Sequence, residues 1–351
     1  MKSWAGRYFE DFFIGQEIPH ANELTVSEAS ASIYRSLTGL RFSTQCSEPF
    51  AQSLGFRTTP VDDVFVLKIL FGQSVRDVSL RAVATLGYGG CAFDEPVYPG
   101  DTLRSATTVI GLELGPSDDT GIVHVRTTGR NQRRDVVASY VRWVSIRRRE
   151  ASGAVKVPPT PVLPQVNDGL GVPVPSFLTT VNYDTVVAGS PYYWEDYSPG
   201  ERIDHVDGCT IEESEATMVA RLYQNTAPPH YNAHAMAQTP FGRRIVFVGH
   251  IVGLTRSLSY NGLANVFRVA VINRARHLQP TFAGTTVYAW TEVLERLEIP
   301  GRTDVGALRL RSVATKDRAC HDFPDSKTGG EAAGSVVLEW DYIGLIPRRQ
   351  S

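Results

Sequence analysis

Phe9-Glu10-Asp11-Phe12 reads a second time as Trp194-Glu195-Asp196-Tyr197, and the echo continues: Gly15 returns as Gly200, Ile18 as Ile203, His20 as His205, Thr25 as Thr210 and Glu28 as Glu213. The register is constant, since 194−9, 205−20 and 213−28 each give 185. A repeat this long means two copies of one domain in a single chain. Carried forward, the same register sets Leu40 against Asn225 and Gln45 against His230. The second copy has a histidine where the first has a glutamine, which predicts one working site and one retired site.

The repeat also sets the boundaries. Residues 151–176 hold Pro158, Pro159, Pro161, Pro164, Pro173 and Pro175. Proline at that density lacks the donors of a sheet interior and favours an extended chain. The expected organisation is a first domain over 1–150, a proline-rich linker over 151–176 and a second domain over 177–351. The full length of 351 residues is enough for two domains, each with its own core.

Composition narrows the function classes. A formal net charge of −2 gives no global field for nucleic acid or anionic lipid, so neither is an expected partner. No apolar run is long enough for a membrane span, and the start Met-Lys-Ser-Trp has no signal-peptide character. Cys46, Cys91, Cys209 and Cys320 stand far apart with no metal-ligand spacing. These features predict reduced thiols in a cytoplasmic protein. Self-association is left open.

Within each copy a short aromatic segment and a glycine turn precede Thr25-Val-Ser-Glu28 or Thr210-Ile-Glu-Glu213. Both read as capping boxes opening a helix. A loop follows, then a long apolar helix, expected over 61–75 in the first copy and 250–263 in the second. Val123–Thr127, Val136–Ile146, Leu308–Val313 and Val336–Ile343 alternate as strands. The fold class is therefore α+β: a tandem, or double, hot-dog, each half a long helix across an antiparallel sheet. Two halves side by side join sheet edges and bury open faces that one alone would expose.

The segment Asn225-Thr-Ala-Pro-Pro-His230-Tyr-Asn232-Ala-His234 carries the most chemistry. An imidazole suits proton transfer near neutral pH, and a neighbouring amide can hold a water. His230 and His234 are four apart, but no third ligand is evident, so no metal is expected. Gly249 and His250 open the long helix, where backbone N–H groups and the helix dipole favour negative charge. Their amides are candidates for an oxyanion hole. Arg243 and Arg244 just upstream suit phosphate or carboxylate, as does Arg256 further on. His20 and His205 recur at matched positions and read as structural, while His277 and His321 carry no pattern.

At these residues the chain resembles the MaoC-like enoyl-CoA hydratases, whose motif is Asp, four residues, His, then Phe-Gly and a glycine-marked helix start. Here it reads Asn225, four residues, His230, Phe241-Gly242 and Gly249. Leu222-Tyr-Gln-Asn-Thr226, Phe241-Gly-Arg-Arg-Ile-Val246, Gly249-His-Ile251, Asn261-Gly-Leu-Ala-Asn265 and Ala314-Thr-Lys-Asp-Arg318 are similar to the mesaconyl-CoA hydratase (β-methylmalyl-CoA dehydratase) branch. The resemblance implies a hydro-lyase that reversibly hydrates a 2-enoyl-CoA thioester, most specifically mesaconyl-CoA. CoA is then part of the substrate and no separate cofactor is needed. By position His230 would be the acid/base, Asn225 would position water, and the Gly249 amide would polarise the thioester carbonyl. Arg243, Arg244, His250 and Arg256 are candidates to bind substrate or CoA, with Arg221 a further candidate for the substrate carboxylate, and the first half would shape the pocket. An amide in place of the usual Asp suits a substrate with a carboxylate on the attacked carbon, since a second carboxylate would repel it. The resemblance also implies glycine beside Gly249, where Val248 narrows the pocket. Two other readings fit the fold, a thioesterase and a non-catalytic acyl-CoA-binding protein.

Overall fold

The computed structural model describes residues 2–149, 165, 168–327 and 329–350. Most of the expected linker, 151–164 and 166–167, lies outside the described residues. The first half runs β1 (Glu17–Pro19), β2 (Leu24–Thr25), α1 (Glu28–Thr38), α2 (Ser43–Cys46), α3 (Glu48–Ser53), α4 (Asp63–Ser74), β3 (Ala82–Ala92), β4 (Thr102–Leu114), β5 (Thr120–Arg130) and β6 (Val136–Arg147). After α5 (Thr185–Ala188) the second half repeats it: β7 (Arg202–Thr210), α6 (Glu213–Leu222), α7 (Pro228–Tyr231), α8 (Ala233–Ala237), α9 (Val248–Leu258), α10 (Tyr260–Leu263), β8 (Arg268–His277), β9 (Thr286–Glu298), β10 (Val305–Lys316), α11 (Gly330–Ser335) and β11 (Val336–Pro347). The starts of α1 and α6, α2 and α7, α3 and α8, and α4 and α9 all keep the sequence offset of 185. The registers part only among the strands, where α11 and its loop lengthen the second copy before β11.

One antiparallel sheet of eleven strands carries both halves, in the order β1-β4-β5-β6-β3-β8-β11-β10-β9-β7 with β2 beside β4. The halves meet where β3 pairs with β8, setting Tyr88 opposite Ala275 and Cys91 opposite Ile272. Each sheet thereby loses an open edge. α4 packs on β4 and β5 and reaches β8, while α9 packs on β9, β10 and β7, and the two helices touch. Val64, Phe65 and Leu70 of α4 share one buried cluster with Ile251, Val252 and Leu254 of α9. Fully burying each such side chain is worth roughly 1.5–3 kcal/mol, so this shared core ties the halves together. Every residue of α4 is buried, Lys68 included.

The expected capping boxes are corrected. Thr25 and Thr210 end strands, and their hydroxyls bond those of Thr102 and Thr286, each at 2.8 Å. The helices are capped two residues on, at Ser27 and Glu212. The matching threonines record strand pairing rather than helix starts. The long helix of the second half also differs from expectation. It begins at Val248 and stops at Leu258, because Asn261 turns away to bond His205, its carbonyl accepting from Nδ1 at 2.7 Å and its amide donating to the His205 carbonyl at 2.9 Å. His205 and His20 are structural, each reaching a strand threonine through Nε2: Thr291 at 2.7 Å and Thr107 at 2.6 Å.

Candidate active site

The end of α6 delivers Asn225. Gln224 takes a left-handed φ of 56°, which lets the Asn225 N–H reach back to the Ala220 carbonyl at 2.8 Å. The loop is pressed from the other half by α4. A Cβ on Gly72 would stand 1.6 Å from the Tyr223 carbonyl, so only glycine permits this approach. Asn225 is buried, and its Oδ1 accepts from the Ala227 N–H at 3.1 Å. That bond fixes the amide orientation and leaves the NH2 group as the end able to meet a ligand.

Pro228 then opens α7, which carries His230. The ring Nδ1 lies 2.9 Å from the Ile245 carbonyl, and Ile245 in turn donates its N–H to Pro229 at 2.9 Å. A carbonyl can only accept, so Nδ1 carries the proton and Nε2 keeps the lone pair. Burial lowers the His230 pKa below its ordinary value of 6.5, with the Ile245 hydrogen bond pulling the other way. The neutral, basic form therefore prevails at neutral pH.

Asn225 and His230 line one cavity of about 300 Å³. Phe247 and Val248 line it from the start of α9, Phe71 and Val75 from the first half, and His277 from the end of β8. The α9 N-terminus borders this space. Val248, the residue beside Gly249, is part of its lining. The Gly249 N–H has no acceptor among the described residues, whereas the His250 N–H donates to the Phe247 carbonyl at 2.8 Å. Of the two amides expected as an oxyanion hole, only that of Gly249 is unpaired among the described residues, and Gly249 stands behind the lining Phe247 and Val248 rather than lining the cavity itself. A Cβ there would stand 2.3 Å from the Phe247 ring and 2.7 Å from Lys68 Cδ, which explains the glycine.

The matched place in the first half is closed. Leu40 and Gln45 border a space of only about 10 Å³ with Tyr34 and Asp62, and Gln45 donates to the Phe267 carbonyl at 3.4 Å. That volume barely admits one water.

Four expected binding residues need correction or placement. His250 is fully buried, bonds Glu215 through Nε2 and does not line the cavity. Arg256 is also in the core, 3.4 Å above the centre of the Phe42 ring, and donates to the Val266 carbonyl at 2.5 Å. Their side-chain partners, Glu215, Phe42 and Val266, do not line the cavity either. Arg244 is paired with Glu213. Arg243 is exposed and lies over Phe282, next to the cavity-lining Phe241, so of the four it alone sits at the rim. Sequence reasoning passed over Lys68 and found no pattern at His277. The one signal for Lys68 was a basic side chain in the middle of the apolar run Val64–Phe71.

No helix among the described residues is long and apolar enough to cross a membrane. A sequence profile described as mesaconyl-CoA hydratase matches residues 2–158. The chain is 50% identical over 348 residues to a β-methylmalyl-CoA dehydratase of Chloroflexus aurantiacus, covering 99% of each. It is 43% identical to a mesaconyl-CoA hydratase of Cereibacter sphaeroides, covering 99% of this chain and 100% of that one. Among solved structures, a putative MaoC domain protein dehydratase from Chloroflexus aurantiacus superposes over 100% of both chains with a TM-score of 0.96 and 49% identity. A Mycobacterium tuberculosis protein described as a double hotdog fold aligns with a TM-score of 0.75 over 97% of this chain and 98% of its own, at 23% identity, a likeness of fold alone. With these similarities and the double hot-dog architecture, the chain belongs to the mesaconyl-CoA hydratase (β-methylmalyl-CoA dehydratase) family of MaoC-like hydro-lyases.

Proposed function

We propose that the protein catalyses the reversible addition of water to mesaconyl-CoA, giving β-methylmalyl-CoA, with His230 as the single titrating group. The observation that carries this reading is the Ile245 carbonyl on Nδ1, which turns the basic Nε2 of a cavity-lining histidine into a proton acceptor. Water is held by the Asn225 amide, which donates to its oxygen. As that oxygen bonds the β-carbon, Nε2 takes one water proton, and the alkene electrons move onto the thioester as an enolate. The Gly249 N–H and the α9 dipole stabilise the enolate oxygen. The proton held on His230 then bonds the α-carbon, which returns the ring to its neutral form. Dehydration is the same path reversed. An aspartate at position 225 would face the substrate's own carboxylate beside the attacked carbon, and the neutral amide removes that repulsion. Arg243 at the rim suits a phosphate of the CoA portion.

The test is a panel of 2-enoyl-CoA and 3-hydroxyacyl-CoA thioesters, mesaconyl-CoA included, followed by mass spectrometry and a thiol reagent. The expected result is gain of one water on mesaconyl-CoA with no free thiol. Release of free CoA would establish a thioesterase instead, and binding without turnover an acyl-CoA-binding protein.

A further inference from the structure

Given a dicarboxylic thioester as substrate, its free carboxylate enters a cavity walled largely by apolar side chains. A carboxylate taken out of water needs a cation. Arg256, His250 and Arg244 are engaged elsewhere, and Arg243 is at the rim. Two other cations are buried beside the cavity.

Lys68, in the middle of α4, is 1% exposed. Its Nζ donates to the Tyr88 hydroxyl at 2.8 Å and stands 4.2 Å from the centre of that ring. Arg142, on β6, is 0% exposed. It lies 4.4 Å over the Phe71 ring and reaches only the Ser79 hydroxyl, at 3.4 Å, while its Nε and Nη2 have no partner among the described residues. No carboxylate pairs with either cation among the described residues. The contrast with the other buried cations is direct: Arg268 is 3.3 Å from Asp63, and Arg256 feels both Asp62 and Asp63. The Lys68 pKa is pulled down to about 7 by burial, a measure of how poorly its charge is compensated.

Neither cation lines the cavity itself; each stands directly behind side chains that do. Phe71 and Ser79, which Arg142 touches, line it. The Lys68 stem passes Gly249, next to the lining Val248. Tyr88 links the two, as the cross-strand partner of Arg142 and the hydrogen-bond partner of Lys68. His277 completes the wall. Its ring lines the cavity 5.8 Å from that of Tyr88, and its buried Nε2 has no partner among the described residues. The short acyl chain places its carboxylate close to the thioester carbonyl, and Lys68 lies beside the Gly249 amide assigned to that carbonyl.

We propose that Lys68 and Arg142, both supplied by the first half, form with His277 the subsite that holds the free carboxylate of the acyl group, making the enzyme selective for dicarboxylic over neutral enoyl thioesters. The inference rests on the substrate class proposed above. It gives the half without a working site a role in recognition.

The test compares kcat/KM for mesaconyl-CoA and for tiglyl-CoA, in which a methyl replaces the carboxylate. Lys68→Met and Arg142→Met are each read as the ratio between the two substrates, which cancels a general loss of folded protein. The ratio should fall at least about tenfold in one or both, since an unpaired buried charge is costly. An unchanged ratio in both variants, or equal losses on the two substrates, overturns the subsite. Should either variant fail to fold, His277→Gln carries the same comparison. If wild-type protein hydrates no mesaconyl-CoA, the proposed reaction fails on its own. Calorimetry with saturated 2-methylsuccinyl-CoA and 2-methylbutanoyl-CoA still reads the subsite: a preference for the dicarboxylate that Lys68→Met abolishes supports it, and equal wild-type affinities overturn it.

Discussion

His230 and Gln45 occupy the same place in two copies of one fold, and what separates them chemically is a lone pair on a ring nitrogen. Gln45 can donate and accept hydrogen bonds but cannot take a proton. His230 can, and its surroundings keep it neutral: burial holds its pKa below 6.5. The sign of the pH dependence follows. Hydration needs the unprotonated ring, so kcat/KM should fall as pH drops through the His230 pKa, while on mesaconyl-CoA loss of the Lys68 charge, whose pKa lies at about 7, gives a separate fall on the alkaline side. The acid limb is expected to have its midpoint below 6.5 and to be absent from the residual activity of His230→Gln. A pH–rate profile with its acid midpoint above 6.5 would contradict this assignment. Asn225 and His230 were legible in the sequence because their spacing matches a motif. Lys68, Arg142 and His277 were not, because what makes them notable is the lack of an acid beside them, and that is a property of three-dimensional neighbours.

Helix α9 joins the two halves at its first turn. Gly249 is enclosed by Phe247 of its own half and Lys68 of the other, and its N–H is the one assigned to the thioester oxygen. Gly249→Ala should therefore lower both activity and stability. Overpacking of this kind costs roughly 1–3 kcal/mol. Gly253 is a useful contrast, since a Cβ there would be 3.1 Å from the Thr38 methyl and 3.4 Å from the Tyr34 hydroxyl. Gly253→Ala should be tolerated far better, helped by the higher helix propensity of alanine. Thermal melts and kcat/KM on the two variants check the pair, and equal behaviour would mean that the enclosure of Gly249 is not limiting. Helix existence was legible here, but helix ends were not. The Thr25 and Thr210 hydroxyls fit a capping pattern in sequence yet pair across strands, and Asn261 leaves α10 for a bond to His205 that no local pattern announces.

The whole molecule is an asymmetric pair built from a repeat. The offset of 185 was enough to anticipate two halves and a joined sheet, because a shared register persists through the four helix pairs from α1 and α6 to α4 and α9. What it could not convey is how far each half enters the other's site. Gly72 supports the Asn225 loop, Phe71 and Val75 wall the cavity, and Lys68 lies against the first turn of α9. The matched space around Gln45 has closed to about 10 Å³. One site per chain, with its chemistry in the second half, is the arrangement we propose. Mesaconyl-CoA hydration by His230→Ala and Gln45→Ala, each checked for native fold by circular dichroism, measures this asymmetry. His230→Ala is expected to lose roughly 10²–10⁴ in kcat, the usual worth of general acid–base catalysis, while Gln45→Ala keeps most of its activity. Full activity in His230→Ala, or an equal collapse in Gln45→Ala, would contradict it.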